Sequence, residues 1–198
     1  MKRIQLSDRC IIRISGEDSR TFMQGLISND IEKADGSNAV YAALLTPQGK
    51  YQFDFFIVAD NGDLLLDGVK ADADALIKKL TMFKLRSKAT LEDVTADYAV
   101  YALLGDDAAD VLIEGAQTKT EDGAILFADP RLPQAGVRVI APADMDATAL
   151  GGENGSEDDY QKHRISLGLP EAPLDLEKEK SRADRLDQLP QFYLIFSV

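Results

Sequence analysis

The first part of the chain alternates between short apolar runs and polar turns. A β-branched run at residues 10–14 predicts a strand, and Phe22, Met23, Leu26 and Ile27 then recur at helical spacing and predict a helix. Three further apolar segments follow, separated by a Pro-Gln-Gly turn and an Asp-Asn-Gly-Asp turn. Two turns at such short spacing predict an antiparallel meander of three strands, at residues 39–45, 51–59 and 64–66.

The second part of the chain predicts more strands and helices in alternation. Apolar residues at spacings of three and four predict an amphipathic helix over 70–85, with acids early and lysines late. The remaining predictions are strands at 90–94, 98–104, 124–127 and 137–140, a short helix at 106–113, a loop at 141–159 with one helical turn at 144–150, and a helix at 160–167. This order indicates an α+β fold with mainly antiparallel sheets and flanking helices.

The composition changes twice near the end of the chain. The stretch from Glu171 to Arg185 is rich in charged residues and is typical of a solvated connector, whereas Phe192 to Phe196 is apolar. We therefore divide the chain into a region at 1–160, a helix and charged connector at 161–189, and an apolar tail at 190–198. The first region is either one unit or two subdomains with a break near residue 95.

The overall composition is that of a globular protein. Of 198 residues, 45% are hydrophobic and 28% are charged, and the formal net charge is −12. Surface scaling predicts that about 70% of the unfolded surface is buried, enough for a core without disulfides. The negative charge argues against a general affinity for nucleic-acid phosphates or anionic lipid, although a local basic patch is compatible with it.

The single cysteine and the apolar runs bear on the compartment. Cys10 has no partner for an intrachain disulfide, and we interpret it as a small buried apolar residue rather than a reactive thiol. No apolar run reaches the length of a signal-peptide core or of a membrane span. The expectation is a cytoplasmic protein without a membrane partner.

Common catalytic and metal-binding patterns are absent from the sequence. It has no glycine-rich phosphate loop and no Gly-Xaa-Ser-Xaa-Gly motif, and His163 is its only histidine, so we expect no metal site and a solvated His163. Asp54 stands between Phe53 and Phe55 on a predicted strand. In one interpretation, the alternation of side chains along the strand places the Asp54 carboxylate on the solvent face, and the residue spacing alone slightly favours this. In the other, the carboxylate is buried and bound to donor groups of a ligand.

Three segments taken together resemble the YgfZ family. They are Phe-Met-Gln-Gly-Leu-Ile-Ser-Asn-Asp at residues 22–30, Tyr-Ala-Ala-Leu-Leu-Thr-Pro-Gln-Gly-Lys at residues 41–50 with Asp54 beyond it, and Arg164-Ile165 followed by Gly-Leu-Pro-Glu at residues 168–171. The YgfZ family comprises folate-binding proteins of iron–sulfur cluster maintenance and tRNA modification, related to the aminomethyltransferase T-protein of glycine cleavage. Order and spacing match from about Ile4 to Leu189.

The resemblance implies domains arranged around a central tetrahydrofolate pocket. Asp54 would accept the N–H groups of the pterin, and it is the candidate catalytic residue if the chain transfers a one-carbon group. Arg164 and Lys50 would pair with the glutamyl carboxylates, or else form surface ion pairs. The residues assigned to the folate site are Gln24, Asn29, Tyr41, Leu44, Thr46, Gln48, Gly49, Lys50, Asp54 and Arg164.

Two departures from the related families qualify the predicted activity. The aminomethyltransferases have two adjacent acids at the position of Asp54 and Phe55, so this chain lacks the second acid. They also have a Glu that holds the pterin at the position where this chain has Ser166. These differences favour a binding protein over an active transferase. In addition, the Lys-Gly-Cys signature of the YgfZ family does not follow Leu189, so the chain resembles a form truncated before the C-terminal β-domain.

The predicted function is therefore tetrahydrofolate binding in iron–sulfur cluster assembly or repair, with an indirect effect on tRNA modification. The expected partners are folate and iron–sulfur enzymes or their assembly proteins, without direct nucleic-acid binding. Two alternatives remain: a folate-dependent aminomethyltransferase, and a scaffold that retains the fold and binds nothing tightly.

Overall fold

The computed structural model describes residues 1–112 and 117–180, which form two antiparallel-rich sheets and three α-helices. The helices are α1 (Ser19–Gln24), α2 (Ala73–Lys84) and α3 (Glu157–Ser166). The strands are β1 (Lys2–Gln5), β2 (Arg9–Ser15), β3 (Val40–Leu45), β4 (Tyr51–Asp60), β5 (Asp63–Val69), β6 (Thr90–Asp93), β7 (Tyr98–Leu104), β8 (Gln117–Lys119), β9 (Ile125–Ala128), β10 (Val137–Pro142) and β11 (Glu153–Asn154). The predicted α+β class with mainly antiparallel sheets is confirmed.

The first sheet has the order β3-β4-β5-β2-β6, and every pairing in it is antiparallel. The predicted meander is its centre. Asp60 pairs with Asp63 across a two-residue loop, in which Asn61 and Gly62 have φ of 52° and 91°. Positive φ at both central positions is the geometry of the tight hairpin turns that Asn-Gly favours.

The second sheet has the order β11-β1-β7-β10-β9-β8. Strands β1, β8 and β11 were not predicted, because each has at most four residues and only a weak apolar pattern. The chain changes sheets between β6 and β7, close to the suggested break at residue 95, but β1 also lies in the second sheet. The division into two subdomains stays a prediction.

Strand β4 is buried on both faces because it contributes to two cores. Phe55 and Ile57 pack beneath α1 and α2, in the same cluster as Leu76 and Leu80. The alternate residues Phe56 and Val58 point the other way, and they pack against residues of the second sheet and α3, namely Ile4, Phe127, Ile140 and Tyr160. A strand covered on both faces reads as a continuous apolar run, as this one does.

Several predicted elements are shorter or shifted in the structure. The predicted helix at 106–113 is only a 3₁₀ turn, Ala108–Val111, and the turn expected at 144–150 is Ala147–Leu150. Helix α3 begins at Glu157, three residues earlier than predicted, because Ser156 caps its N terminus. The predicted strand at 98–104 is confirmed at both ends.

The prediction of a solvated connector from Glu171 onward holds only for part of its described residues: residues 173–175 and 177–180 are exposed, but three others are not. Glu171, Ala172 and Leu176 are buried, and the two apolar side chains pack against Tyr51 and Val69. The charged residues around them concealed this packing in the sequence. The rest of the connector and the apolar tail at 190–198 lie outside the described residues.

Candidate functional site

Asp54 is buried in β4 and held by two tyrosines. Its side chain is on the same face as Phe56 and Val58, which pack toward the second sheet, and the residue is 8% exposed. Tyr41 donates its hydroxyl hydrogen bond to Oδ2 at 2.6 Å, and Tyr51 donates to Oδ1 at 2.7 Å. The interpretation of Asp54 as a solvent-facing residue is therefore wrong, because the second sheet and the segment after α3 cover that face.

The protonation of the two tyrosines fixes the direction of these hydrogen bonds. Burial, together with the nearby charge of Asp54, raises the pKa of Tyr41 well above its ordinary value and also raises the pKa of Tyr51. Both phenols are therefore protonated donors, and the Asp54 carboxylate is the acceptor. A carboxylate has about four acceptor sites, so two tyrosine donors leave capacity for further N–H groups.

A second buried acid, Asp67 on β5, joins the two sheets. Arg9 Nε donates to Asp67 Oδ1 at 2.6 Å, and Arg138 Nη2 on β10 donates to Oδ2 at 2.7 Å. Burial would raise the pKa of Asp67, but the two arginine charges outweigh it and lower that pKa below its ordinary value. The acid is thus a charged link between the first and second sheets.

Two guanidinium groups lie against the aromatic residues near Asp54. The Arg138 guanidinium carbon is 4.1 Å from the ring centroid of Phe56, and that of Arg131 is 4.8 Å from the same centroid and 5.2 Å from that of Tyr41. Arg131 is in turn paired with Asp129 at 2.7 Å. These cation–π contacts fix the Tyr41 ring from which the hydroxyl reaches Asp54.

Sequence reasoning missed Arg9, Asp67 and Arg138. A signal was present, since Arg138 and Asp67 interrupt apolar strands just as Asp54 does. Charged residues at such positions are stable only with a partner, so several of them in different strands indicate a shared buried network.

Arg164 has a structural role that differs from both predicted ones. It is 4% exposed, and it contacts Glu171 Oε2 at 3.2 Å and Asp175 Oδ2 at 2.5 Å. It also donates to the Leu169 carbonyl oxygen at 3.0 Å. Arg164 is therefore neither a surface ion pair nor a free cation for a ligand carboxylate, because the segment that follows α3 folds back over it.

The turn residues of the predicted site hydrogen-bond among themselves and not to Asp54. Thr46 Oγ1 accepts the Lys50 backbone N–H at 3.1 Å, and Gly49 closes the turn with φ of 75°. Gln48 is exposed and Lys50 is half-buried. Leu44 packs with Phe53 and Phe55 beneath the helices, on the face opposite Tyr41, so its assignment to a pocket shared with Tyr41 is wrong.

The predicted residues before β3 divide into two roles. Gln24 Oε1 accepts the Ile31 N–H at 2.8 Å and thereby holds the chain after α1. Asn29 Nδ2 donates to the Tyr41 carbonyl oxygen at 3.0 Å. Asn29 and Tyr41 also line a cavity of about 300 Å³, together with Lys33, Asn38, Ala39, Val40 and Pro130. The Asp54 carboxylate thus lies one hydrogen bond away from a residue of this cavity.

The described residues contain no group of three or more His, Cys, Asp or Glu side chains that could hold a metal ion. Cys10 is buried, as predicted, and burial raises the pKa of its thiol to about 11, which disfavours the nucleophilic thiolate at neutral pH. His163 is half-buried, and its Nε2 lies 2.9 Å from the Gln134 carbonyl oxygen. No described helix is long and apolar enough to cross a membrane.

The two-sheet architecture defines the class of protein. Glycine cleavage system aminomethyltransferase T from Bartonella henselae shares this fold with a TM-score of 0.73 at 15% sequence identity. The match covers 91% of this chain and 54% of that structure. The fold is therefore aminomethyltransferase-like, as the resemblance implied.

The chain belongs to the GCVT N-terminal domain family, whose model matches residues 4–145. One relative, the mitochondrial iron-sulfur cluster assembly factor IBA57 homolog of Mycosarcoma maydis, is 31% identical over 91% of this chain and 46% of its own length. Another, the mitochondrial iron-sulfur cluster assembly factor IBA57 of Homo sapiens, is 28% identical over 87% of this chain and 52% of its own length. The chain thus spans about half the length of the curated relatives it matches.

Proposed function

We propose that this chain is a folate-binding protein of the YgfZ type that acts in iron–sulfur cluster assembly or repair. The observation that carries the proposal is the buried Asp54 carboxylate, which is held by Tyr41 and Tyr51, and Tyr41 also lines a small cavity. The names of the relatives, which are iron-sulfur cluster assembly factors, support the cellular role. The cytoplasmic location and the indirect effect on tRNA modification belong to the same proposal.

The chemistry of the site fits the pterin end of a folate. A pterin presents ring N–H and amino donors, and Asp54 retains acceptor capacity beyond its two tyrosine hydrogen bonds. Tyr41 and Asn29, one aromatic and one polar residue, line the cavity, a mixture typical of small-molecule sites.

The glutamyl end of the folate must be held by other residues than Arg164, whose guanidinium is already paired with Glu171 and Asp175. Lys50 fits this role better, because it is half-buried and no described carboxylate lies within ion-pair distance of it. The tail of the ligand would then run toward the turn between β3 and β4.

The test is a calorimetric titration of 5-formyl-tetrahydrofolate into the wild-type chain and the Asp54→Asn variant. Low-micromolar binding corresponds to about −7 to −8 kcal/mol. Loss of one charge-assisted hydrogen bond should weaken binding by roughly 1.5–3 kcal/mol, or about 10- to 150-fold. Asp63→Asn is the matched control, because Asp63 lies in the same sheet but has a partly exposed side chain.

Thermal melting of each variant distinguishes loss of the ligand contact from loss of the fold. No measurable heat with a folded wild-type chain would overturn the folate proposal and favour the non-binding scaffold. Turnover in a glycine cleavage assay would instead favour the aminomethyltransferase alternative. In cells that lack the gene, the wild-type chain should restore iron–sulfur enzyme activity and the Asp54→Asn variant should restore less.

A further inference from the structure

The charge of the chain reverses around the end of α2. The sequence has 34 acidic residues, yet none of them lies between Ala75 and Leu91. That stretch instead contains five cations, Lys78, Lys79, Lys84, Arg86 and Lys88. Lys88 pairs with Glu17, but no described carboxylate lies within ion-pair distance of Lys78, Lys84 or Arg86. A local positive field therefore stands on a molecule with a net charge of −12.

Large apolar side chains are exposed at the same place. Leu85 is 88% exposed, Met82 is 64% exposed and Phe83 is 45% exposed. They are not part of the packed face of α2, which buries Leu76 and Leu80 against the first sheet. Three neighbouring apolar residues in solvent form a patch of the kind that contacts a partner surface or a membrane.

The backbone at Leu85 adds a further cost. Leu85 has φ of 46° and ψ of −109°, a conformation that residues other than glycine rarely adopt. An exposed, strained leucine contributes little to folding, so its side chain is better explained by a contact outside the molecule.

We infer that this basic apolar tip, formed by Lys78, Lys79, Met82, Phe83, Lys84, Leu85 and Arg86, docks onto an anionic lipid surface. The apolar side chains enter the interface between headgroups and acyl chains, and the cations pair with lipid phosphates. Three of the four cations of this tip are lysines. Lysine is depleted in protein–protein interfaces but common in lipid-binding clusters, which favours the lipid over a protein partner.

This inference is independent of the proposed folate site and departs from the expectation of no membrane partner. That expectation rests on the net charge of the whole chain, whereas attraction to a surface falls off within about one Debye length and depends on the charges that face it. A cluster of cations at one end of α2 can therefore bind anionic lipid while the rest of the molecule is acidic.

The test is co-sedimentation of the full chain with vesicles. One set contains phosphatidylcholine alone, and the other contains equal amounts of phosphatidylcholine and phosphatidylglycerol. We expect binding to the anionic vesicles only, weakened by salt. The double variant Lys84→Glu/Arg86→Glu should bind at least about 30-fold more weakly. Loss of the two cations costs about 1 kcal/mol each, a tenfold loss corresponds to about 1.4 kcal/mol, and the two new carboxylates add repulsion.

Leu85→Gly separates the loss of the apolar contact from the loss of the fold. Glycine relieves the strained φ, so this variant should melt at a higher temperature and yet bind anionic vesicles about tenfold more weakly. Ile165→Ser, which removes an exposed apolar side chain elsewhere, and Lys162→Glu are the matched controls and should bind as the wild type does. The inference is overturned if the wild type binds both vesicle sets equally or neither, or if the double variant binds as tightly as the wild type.

Discussion

Asp67 is the residue on which the buried charges of Arg9 and Arg138 depend. It is fully buried, and it accepts hydrogen bonds from Arg9 and Arg138, which are themselves buried. Removal of one member of a buried ionic group leaves its partners uncompensated. We expect Asp67→Asn to lower the free energy of unfolding by about 3–5 kcal/mol, measured by urea denaturation. Asp63→Asn, whose side chain is partly exposed on the same strand, should change it by less than about 1 kcal/mol.

The same residue predicts how stability depends on pH. Its arginine partners lower the pKa of Asp67 in the folded state below the ordinary value of 3.8. The stability that the ionised carboxylate contributes is therefore fully present above about pH 4, and it is lost as the pH falls through the lowered pKa. The difference in free energy of unfolding between the wild type and Asp67→Asn should be constant near neutral pH and shrink below about pH 4. A difference that stays the same in acid would contradict this assignment.

Leu85 is a residue at which a substitution should stabilise the chain. Its positive φ costs about 1–3 kcal/mol for a side chain of this kind. Glycine adopts such a φ without that cost but loses up to about 1 kcal/mol of chain entropy on folding. We expect Leu85→Gly to raise the free energy of unfolding by about 1 kcal/mol, measured by denaturant titration. Leu174→Gly, at an exposed leucine without a positive φ, is the control and should give no gain.

At the scale of the elements, α3 depends on the capping box at its first turn. Ser156 Oγ accepts the Asp159 N–H, and the Asp159 carboxylate accepts the Ser156 N–H at 3.0 Å. The sequence predicted the helix but began it three residues late, because the acidic first turn resembled the preceding loop. We expect Ser156→Ala to cost about 1 kcal/mol of stability, and Ser37→Ala in an exposed loop to cost close to none. Equal effects of the two changes in thermal melting would contradict the capping role.

The elements also show how far the sequence predicts this molecule. The meander β3-β4-β5 and the bounds of β7 follow from apolar runs and turn residues, which act locally. The burial of Asp54 does not follow from the sequence. Alternation along β4 assigns its side chain to one face of the strand, but it does not indicate what covers that face. The environment of Arg164 was missed for the same reason, since the segment that buries it is itself highly charged. Residues whose role depends on a second layer need the tertiary structure.

At the scale of the whole molecule, the two sheets share one central core and one ionic network. Phe56 and Val58 of the first sheet pack with Phe127 and Ile140 of the second, and Asp67 connects both sheets. Strand β1 adds a further connection, because it lies in the second sheet while the chain continues directly into β2 of the first. The elements on either side of residue 95 therefore cannot separate without exposing this core.

This arrangement predicts that the chain unfolds in one cooperative transition. We expect thermal unfolding followed by far-ultraviolet and by near-ultraviolet circular dichroism to give the same midpoint, since secondary structure and tyrosine packing are lost together. Hydrogen exchange should protect β4 and β10 to a similar extent, because strands that share a core open together. Two separate transitions, or strong protection of only one of these strands, would instead support two subdomains that divide near residue 95. Asp67→Asn extends the test, because loss of the link between the sheets should lower the midpoint of both signals equally.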